Sequence, residues 1–328
     1  MGTEIPDRAE LPKEGLGELV PARTPRILLV GLPGDMPTRI LKQIQASGKY
    51  ALAEMTGKAN IDLTGMLKRD VSFGIALTGE TIKDQPITDS FREDYLNANK
   101  ILLAKPNEHR QVVRVLREVH GANLFGINFA DAGGYDVNFL LAEHGIPFIS
   151  GSTGAPKERE SALVKAVQEA AIPAVIDKNM SVPLVLVGAA LQHLAKTFPN
   201  SLQGFSGWGI DSHQTGKKDT ISGTLVKWAE PLKALGINFY TAEGDRTSPF
   251  LHGDHYLRMQ SPDGTVKLDI QTQVSGRETY VSGTLDYALP FLIGHAREEV
   301  PQQVFKEAGG KGRVYSMIDV LKAIGEKT

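Results

Sequence analysis

Apolar residues fall along this chain in two rhythms, and the change between them comes near residue 180. Before it, short apolar and often β-branched runs recur: Arg26 to Val30 ahead of Gly31, Asn123 to Phe129, Pro147 to Ser150 and Ala174 to Ile176. Runs of that length without polar alternation suit strands of a parallel sheet buried on both faces. Tyr50 to Met55 reads as another. Between these runs lie stretches with helical character. One helix runs from Pro37 through Ser47, with Ile40, Leu41 and Ile44 on one face; others cover Tyr135 to His144 and Gly154 through Gln168. Strand, glycine turn, helix, strand is a βαβ unit with a right-handed crossover. The alternation predicts an α/β fold, a Rossmann-like doubly wound parallel sheet. Over 60–120 the pattern weakens to a strand near Phe73 to Leu77 and helices near 91–98 and 107–119.

Past residue 180 a helix spans Pro183 to Thr197, and then the period becomes two. Val266, Leu268 and Ile270 are apolar while Lys267, Asp269 and Gln271 between them are polar, the mark of a half-buried strand. The turn Ser261-Pro262-Asp263-Gly264 precedes it, with Tyr256 to Gln260 as hairpin partner. This predicts an antiparallel or mixed sheet under a helix. Tyr287 to His295 and Ser316 to Ile324 are helical in pattern, and no internal repeat interrupts the chain.

Composition narrows the classes. With 36 basic against 38 acidic side chains, no global field favours nucleic acid or an anionic membrane, and neither is expected as a partner. The absence of cysteine removes disulfides, thiolate nucleophiles, iron–sulfur clusters and cysteine-bound zinc. No apolar stretch approaches a membrane span. The first 24 residues carry Glu4, Asp7, Glu10, Glu14 and Glu18 among Pro6, Pro12 and Pro21, which suits neither a signal nor a transit peptide. They read as a flexible arm, 1–24, and the expected location is the cytoplasm, or the plastid stroma if the chain is from a plant or alga.

Gly31-Leu32-Pro33-Gly34-Asp35-Met36-Pro37 stands between the first strand and its helix. Glycines there admit a pyrophosphate to the backbone, beside helix N–H groups and a positive dipole end. The third glycine of the usual fingerprint is replaced by Pro37, and a plain tight turn explains the segment about as well. Asp35 and Met36 fall in the same loop. After the second strand, Thr56-Gly57-Lys58 replaces the acidic residue of an NAD site. A hydroxyl and a cation suit the 2′-phosphate of NADPH; a solvated loop lysine is the alternative. Gly151-Ser152-Thr153-Gly154 is a second small-residue loop after a parallel strand.

Asp211-Ser-His-Gln-Thr-Gly-Lys-Lys-Asp-Thr-Ile-Ser-Gly-Thr224 holds the densest chemistry. Reduction of a C=N or conjugated C=C bond needs a hydride and a proton, and histidine is the natural proton donor near neutrality. His213 supplies one, Lys217 a cation for a carboxylate, and Ser222, Gly223 and Thr224 hydrogen-bond donors. A polar surface loop accounts for the same residues on chemistry alone.

This segment resembles the dihydrodipicolinate reductase signature Glu-x-His-His-x-x-Lys-x-Asp-x-Pro-Ser-Gly-Thr, with Ser212-His213-Gln214 similar to the plant-type branch. Gly145 to Gly154 resembles the family's Gly-x-Pro-x-x-x-Gly-Thr-Thr-Gly loop, and Asn179-Met180-Ser181 falls where the family has Asn-Phe-Ser. Ser275-Gly276-Arg277, Gly283-Thr284 and Tyr315 to Leu321 resemble its C-terminal region. The likeness runs over about 123–328 and is thin over 25–122.

What the resemblance implies is a dinucleotide-binding domain over 25–177, completed by 285–328, and an α+β mixed-sheet domain over 178–284 that binds substrate and builds a homotetramer. It implies reduction of the cyclic imine from 4-hydroxy-tetrahydrodipicolinate, a dicarboxylate, to tetrahydrodipicolinate in lysine biosynthesis. His213 would give the proton and Lys217 assist. Gln214, Ser222, Gly223 and Thr224 would hold substrate. Gly31, Gly34, Asp35, Met36, Thr56, Lys58, Gly151, Ser152, Thr153, Gly154 and Asn179 would hold NADPH, with NADH as the alternative.

The chain departs from the pattern at Asp211 for glutamate, Ile221 for proline, and Asp177-Lys178 ahead of Asn179, a charged pair expected near the nicotinamide or in an ion pair beside the cleft. Two further hypotheses follow: a relative acting on another cyclic imine or unsaturated carboxylate, and a non-catalytic assembly factor. His252 and His255 lack further ligands at metal-site spacing, so no metal is expected. His193 reads as a packing or surface residue, Trp208 and Trp228 as packing residues, and Arg277 as half of a structural ion pair or a contact to a carboxylate from a neighbouring strand.

Overall fold

The computed structural model describes residues 24–54, 73–82, 85–130, 132–152, 155–215, 220–247, 251–298 and 314–325. Strands β1 (Arg26–Val30), β2 (Ala51–Leu52) and β3 (Gly74–Leu77) come first, followed by a small hairpin of β4 (Thr81–Ile82) and β5 (Gln85–Pro86). After them come β6 (Ile101–Ala104), β7 (Leu124–Asn128), β8 (Phe148–Ser150) and β9 (Ala174–Ile176). Helices α1 (Asp35–Ser47), α2 (Asp89–Asn99), α3 (His109–His120), α4 (Asp136–Glu143) and α5 (Lys157–Glu169) alternate with these strands.

The second rhythm becomes α6 (Val182–Thr197), β10 (Ser206–Ser212), α7 (Gly223–Ala234), β11 (Asn238–Glu243), β12 (Leu251–Gln260) and β13 (Lys267–Ser275). The chain continues through α8 (Glu278–Ser282), a π-helical stretch over Gly283–Ala288, α9 (Leu289–Ala296), β14 (Val314–Tyr315) and α10 (Met317–Gly325). Among the described residues no helix is long and apolar enough to cross a membrane.

The large sheet runs β14-β9-β8-β7-β1-β3-β6, with β2 beside the start of β1. Every pairing in it is parallel. Alternation along β1 explains its two covers. Ile27 and Leu29 pack with Ile40, Leu41 and Ile44 of α1 and with α9 and α10. Leu28 and Val30 pack on the other face with Val112, Val113 and Leu116 of α3 and with α4 and α5. Each such buried aliphatic side chain contributes about 1.5–3 kcal/mol of transfer free energy. The chain turns outward in opposite directions from β1, to β3 on one side and β7 on the other, which makes a crevice at their carboxyl ends.

Helix α1 starts two residues ahead of the expected Pro37. That proline sits at the third helical position, where a missing N–H costs nothing because first-turn N–H groups have no intrahelical partner. The smaller sheet has the order β11-β10-β12-β13. β10 and β11 are parallel and joined by α7; the other pairs are antiparallel. Helices α6 and α7 cover one face through Leu184, Leu191, Leu225, Trp228 and Leu232. They come close because Gly207 and Gly209 line that face of β10: an added Cβ would stand 2.7 Å from Phe239 and 2.8 Å from Leu225.

Candidate active site

On β10 the positions 207, 209 and 211 point the same way, so Asp211 continues the row of glycines toward α7. Its carboxylate is fully buried at 0% exposure and heavily hydrogen-bonded. Oδ2 accepts the Ser222 N–H at 2.6 Å, and Oδ1 accepts the Ser222 hydroxyl at 2.9 Å and His213 Nε2 at 3.1 Å. Arg246 Nη2 stands 3.5 Å from Oδ2. Burial pushes the Asp211 carboxyl up, but the hydrogen bonds from His213 and from the Ser222 backbone and hydroxyl outweigh it and hold the group at about 2.

His213 is buried, and both of its ring nitrogens face acceptors. Nδ1 meets the His252 carbonyl and Nε2 meets Asp211. Strand register adds a second imidazole. Asp211 lies opposite His255 on β12, and His255 opposite Thr272 on β13. His255 Nε2 stands 3.4 Å from Asp211 Oδ1 and 3.2 Å from Ser222 Oγ, while its Nδ1 meets Thr272 Oγ1 at 3.2 Å.

Ser222 caps α7, accepting the Leu225 N–H at 3.3 Å. A Cβ on Gly223 would meet nothing within 4 Å among the described residues, so the head of α7 is open on that side. Thr224 Oγ1 accepts the Asn179 side-chain N–H at 3.1 Å, which ties the loop after β9 to the first turn of α7. Gln214 is half-buried beside His213. Lys217 lies outside the described residues, as do Thr56, Lys58, Thr153 and Gly154.

The expected Asp177-Lys178 pair is split between two partners. Asp177 is buried and takes Lys227 Nζ at 2.6 Å, the Asn179 N–H and the Met317 N–H. Lys178 pairs with Glu160 at 2.7 Å. Each charge thus has its own counter-ion, and Asp177 serves as a buried anchor between β9, α7 and α10.

At the crevice, Gly31 has φ +99°, and a Cβ there would stand 2.9 Å from the Ala130 backbone nitrogen. On Gly34 it would stand 2.7 Å from the Gly31 carbonyl oxygen. Gly34 heads α1 without any side chain on the helix's first N–H groups. The Asp35 carboxylate is neutralised by Arg39 at 2.9 Å and Arg277 at 3.1 Å. Met36 belongs to the core, leaving only its backbone for a ligand. Gly151 lies under the Phe129 ring, where a Cβ would come within 2.2 Å. Ser152 Oγ is buried with no hydrogen-bond partner among the described residues. Bare backbone at two glycines, an uncapped helix head and an orphaned hydroxyl fit a dinucleotide with a polar carboxamide ring.

Arg246 is a site residue that no spacing along the chain singled out, and His255, read there as lacking ligands at metal-site spacing, reaches Asp211 through the register of β10 and β12. Trp228 is buried in the core as expected, whereas Trp208 is half-buried and stacks on Tyr240 at 6.4 Å on the face of the smaller sheet that no helix among the described residues covers.

No family model matches the chain. Sequence relatives are the chloroplastic 4-hydroxy-tetrahydrodipicolinate reductases 1 and 2 of Arabidopsis thaliana, each 29% identical over 68% of this chain and 64% of theirs. The 4-hydroxy-tetrahydrodipicolinate reductase of Methanocaldococcus jannaschii is 26% identical over 52% of this chain and 66% of its own. The chain thus spans about 64% of the length of the Arabidopsis proteins. In fold it is similar to a dipicolinate-bound dihydrodipicolinate reductase from Paenisporosarcina sp. TG-14, with TM-score 0.54 and 12% identity over 90% of this chain and 98% of the other. By sequence this chain is a homologue of the 4-hydroxy-tetrahydrodipicolinate reductases, plant chloroplastic proteins among them.

Proposed function

We propose that the chain reduces the cyclic imine formed from 4-hydroxy-tetrahydrodipicolinate to tetrahydrodipicolinate, with NADPH as reductant and NADH as the alternative. The observation that carries this is the buried Asp211–His213 pair set beside the open head of α7, which Asn179 ties to the end of β9. Its sequence relatives among the 4-hydroxy-tetrahydrodipicolinate reductases support the same activity.

A bound nicotinamide supplies the hydride to the imine carbon. Gly31, Gly34 and the backbone of Asp35 and Met36 suit its pyrophosphate, and Gly151, Ser152 and Asn179 its ring end. Thr56, Lys58, Thr153, Gly154 and Lys217 keep the roles that the family resemblance implies. The imine nitrogen needs a proton, and His213, with Nε2 set against Asp211, is the group placed to give it. Because Asp211 stays ionised down to about 2, it stabilises the protonated ring until the hydrogen bond passes to substrate. Ser222 already spends its hydroxyl on Asp211, so the first-turn N–H groups of Gly223 and Thr224 are the donors left for a substrate carboxylate.

The test follows NADPH oxidation with freshly generated substrate. His213→Ala should lower the rate about 10²–10⁴-fold, the usual effect of losing a positioned proton donor. Turnover no faster than with a generic cyclic imine would remove the lysine-pathway assignment. We also propose a homotetramer, built through the uncovered face of the smaller sheet.

A further inference from the structure

The reductase chemistry uses His213 but gives no role to the second imidazole beside it. His255 is 1% exposed, and a buried ring is an unusual neighbour for another ring on one carboxylate oxygen. We infer that Asp211, His213 and His255 form a binding site for a borderline divalent transition ion, zinc(II) first among them. The ion and the catalytic proton would compete for one nitrogen, His213 Nε2; this second half rests on the reductase reading above.

Three ligand atoms lie within 4.8 Å of one another. His213 Nε2 and His255 Nε2 stand 3.1 Å and 3.4 Å from Asp211 Oδ1. Ligands 2.0–2.1 Å from a tetrahedral zinc are about 3.3 Å apart, so small movements close the set. Ser222 Oγ, 2.9 Å from Oδ1 and 3.2 Å from His255 Nε2, stands where a fourth, neutral oxygen is wanted.

The far sides of the rings are arranged for the same purpose. His213 Nδ1 faces the His252 carbonyl, and His255 Nδ1 faces the Thr272 hydroxyl. Metal-bound imidazoles almost always give their other N–H to such an acceptor, which fixes the tautomer that presents an unprotonated Nε2 to the ion. The carboxylate divides its work likewise. Oδ2 takes the Ser222 N–H and faces Arg246, which keeps the guanidinium on the side away from the rings, while Oδ1 faces both imidazoles. The register row Asp211, His255, Thr272 across β10, β12 and β13 places these groups on rigid strands. Two imidazoles and one carboxylate suit zinc, cobalt or nickel, whereas magnesium and calcium require oxygen ligands.

The full chain, stripped with chelator, is titrated with cobalt(II) and read by visible absorption without substrate or cofactor. The expected result is the spectrum of a four-coordinate site at one cobalt per chain, displaced by one equivalent of zinc. His255→Gln should weaken cobalt binding about 100-fold. Thr272→Val, which leaves all three ligands, should weaken it about 10-fold through the outer hydrogen bond.

Only the spectrum of aqueous cobalt, or wild-type affinity in both variants, overturns the site. Zinc at one equivalent should slow NADPH oxidation at least 10-fold, with recovery on chelation; full turnover with zinc bound overturns the competition. A cobalt spectrum in a protein that does not turn over the imine supports the metal site and removes the reductase reading instead.

Discussion

Asp211 has no exposed surface, yet its ionised form is the favoured one: burial pushes its carboxyl up from 3.8, and the hydrogen bonds from His213 and Ser222 bring it down to about 2. The folded value lies below the unfolded one, so this carboxylate adds stability above the unfolded value, and that stability disappears as pH falls from about 4 toward 2. Holding the carboxyl at about 2 in place of 3.8 corresponds to about 2 kcal/mol. Urea unfolding of wild type and Asp211→Asn at pH 6 and again near pH 2.5 checks the effect, because every other carboxylate is common to both. The gap between the two proteins should shrink by about 2 kcal/mol on acidification. Parallel pH profiles would show that the Ser222 and His213 hydrogen bonds do not favour the ion. The residue itself was visible in the sequence as a mild departure from glutamate, but its buried partnership was not. Arg246 and His255 reach it through folding, and nothing in a spacing of 35 or 44 positions announces that.

At the scale of elements, two glycines make opposite predictions. The π-helical stretch begins at Gly283, where a Cβ would stand 1.6 Å from the Met180 carbonyl oxygen. Backbone cannot rotate away as a side chain can, so Gly283→Ala should cost about 3 kcal/mol or more in urea unfolding. It should also loosen Asn179, the neighbour of Met180 that holds Thr224. Among the described residues Gly223→Ala meets nothing within 4 Å and gains helix propensity, so stability should hold or rise by up to about 1 kcal/mol. Its methyl group enters the space assigned to a substrate carboxylate, and KM should rise about 10-fold with kcat retained. An unchanged KM would place the carboxylate elsewhere.

The same elements show what the sequence made legible. Strands such as Arg26–Val30 were readable because burial on both faces demands uninterrupted apolar residues. β10 was not, since Ser-Gly-Trp-Gly-Ile-Asp-Ser puts glycines where an apolar side chain would signal the covered face. α7 was hidden by Pro231 inside it. Ile101–Ala104 is too short to be told from a helix segment, although all four residues are buried.

For the molecule as a whole, the two sheets differ in how they are covered. Among the described residues, helices close both faces of the large sheet but only one face of the smaller. On its other face, Tyr240 is 58% exposed and stacked on Trp208. Arg258 lies over the rings of Trp208 and Tyr256 at 5.9 Å and 5.4 Å and is held by Asp269 through two hydrogen bonds. Aromatic and arginine side chains preorganised in this way are the groups that dominate interface energies, and a β-sheet face left uncovered is what one copy of the chain can offer another. The double variant Trp208→Ala with Tyr240→Asp removes two anchors without touching the α7 side, so thermal unfolding of the protomer should change little. In sedimentation equilibrium at micromolar concentration the wild type should have four times the mass of one chain, and the variant should dissociate. If the wild type instead sediments as a single chain, the uncovered face does not self-associate. If the variant stays tetrameric, the copies meet through another surface, and the exposed Tyr240 must then be explained by something other than assembly.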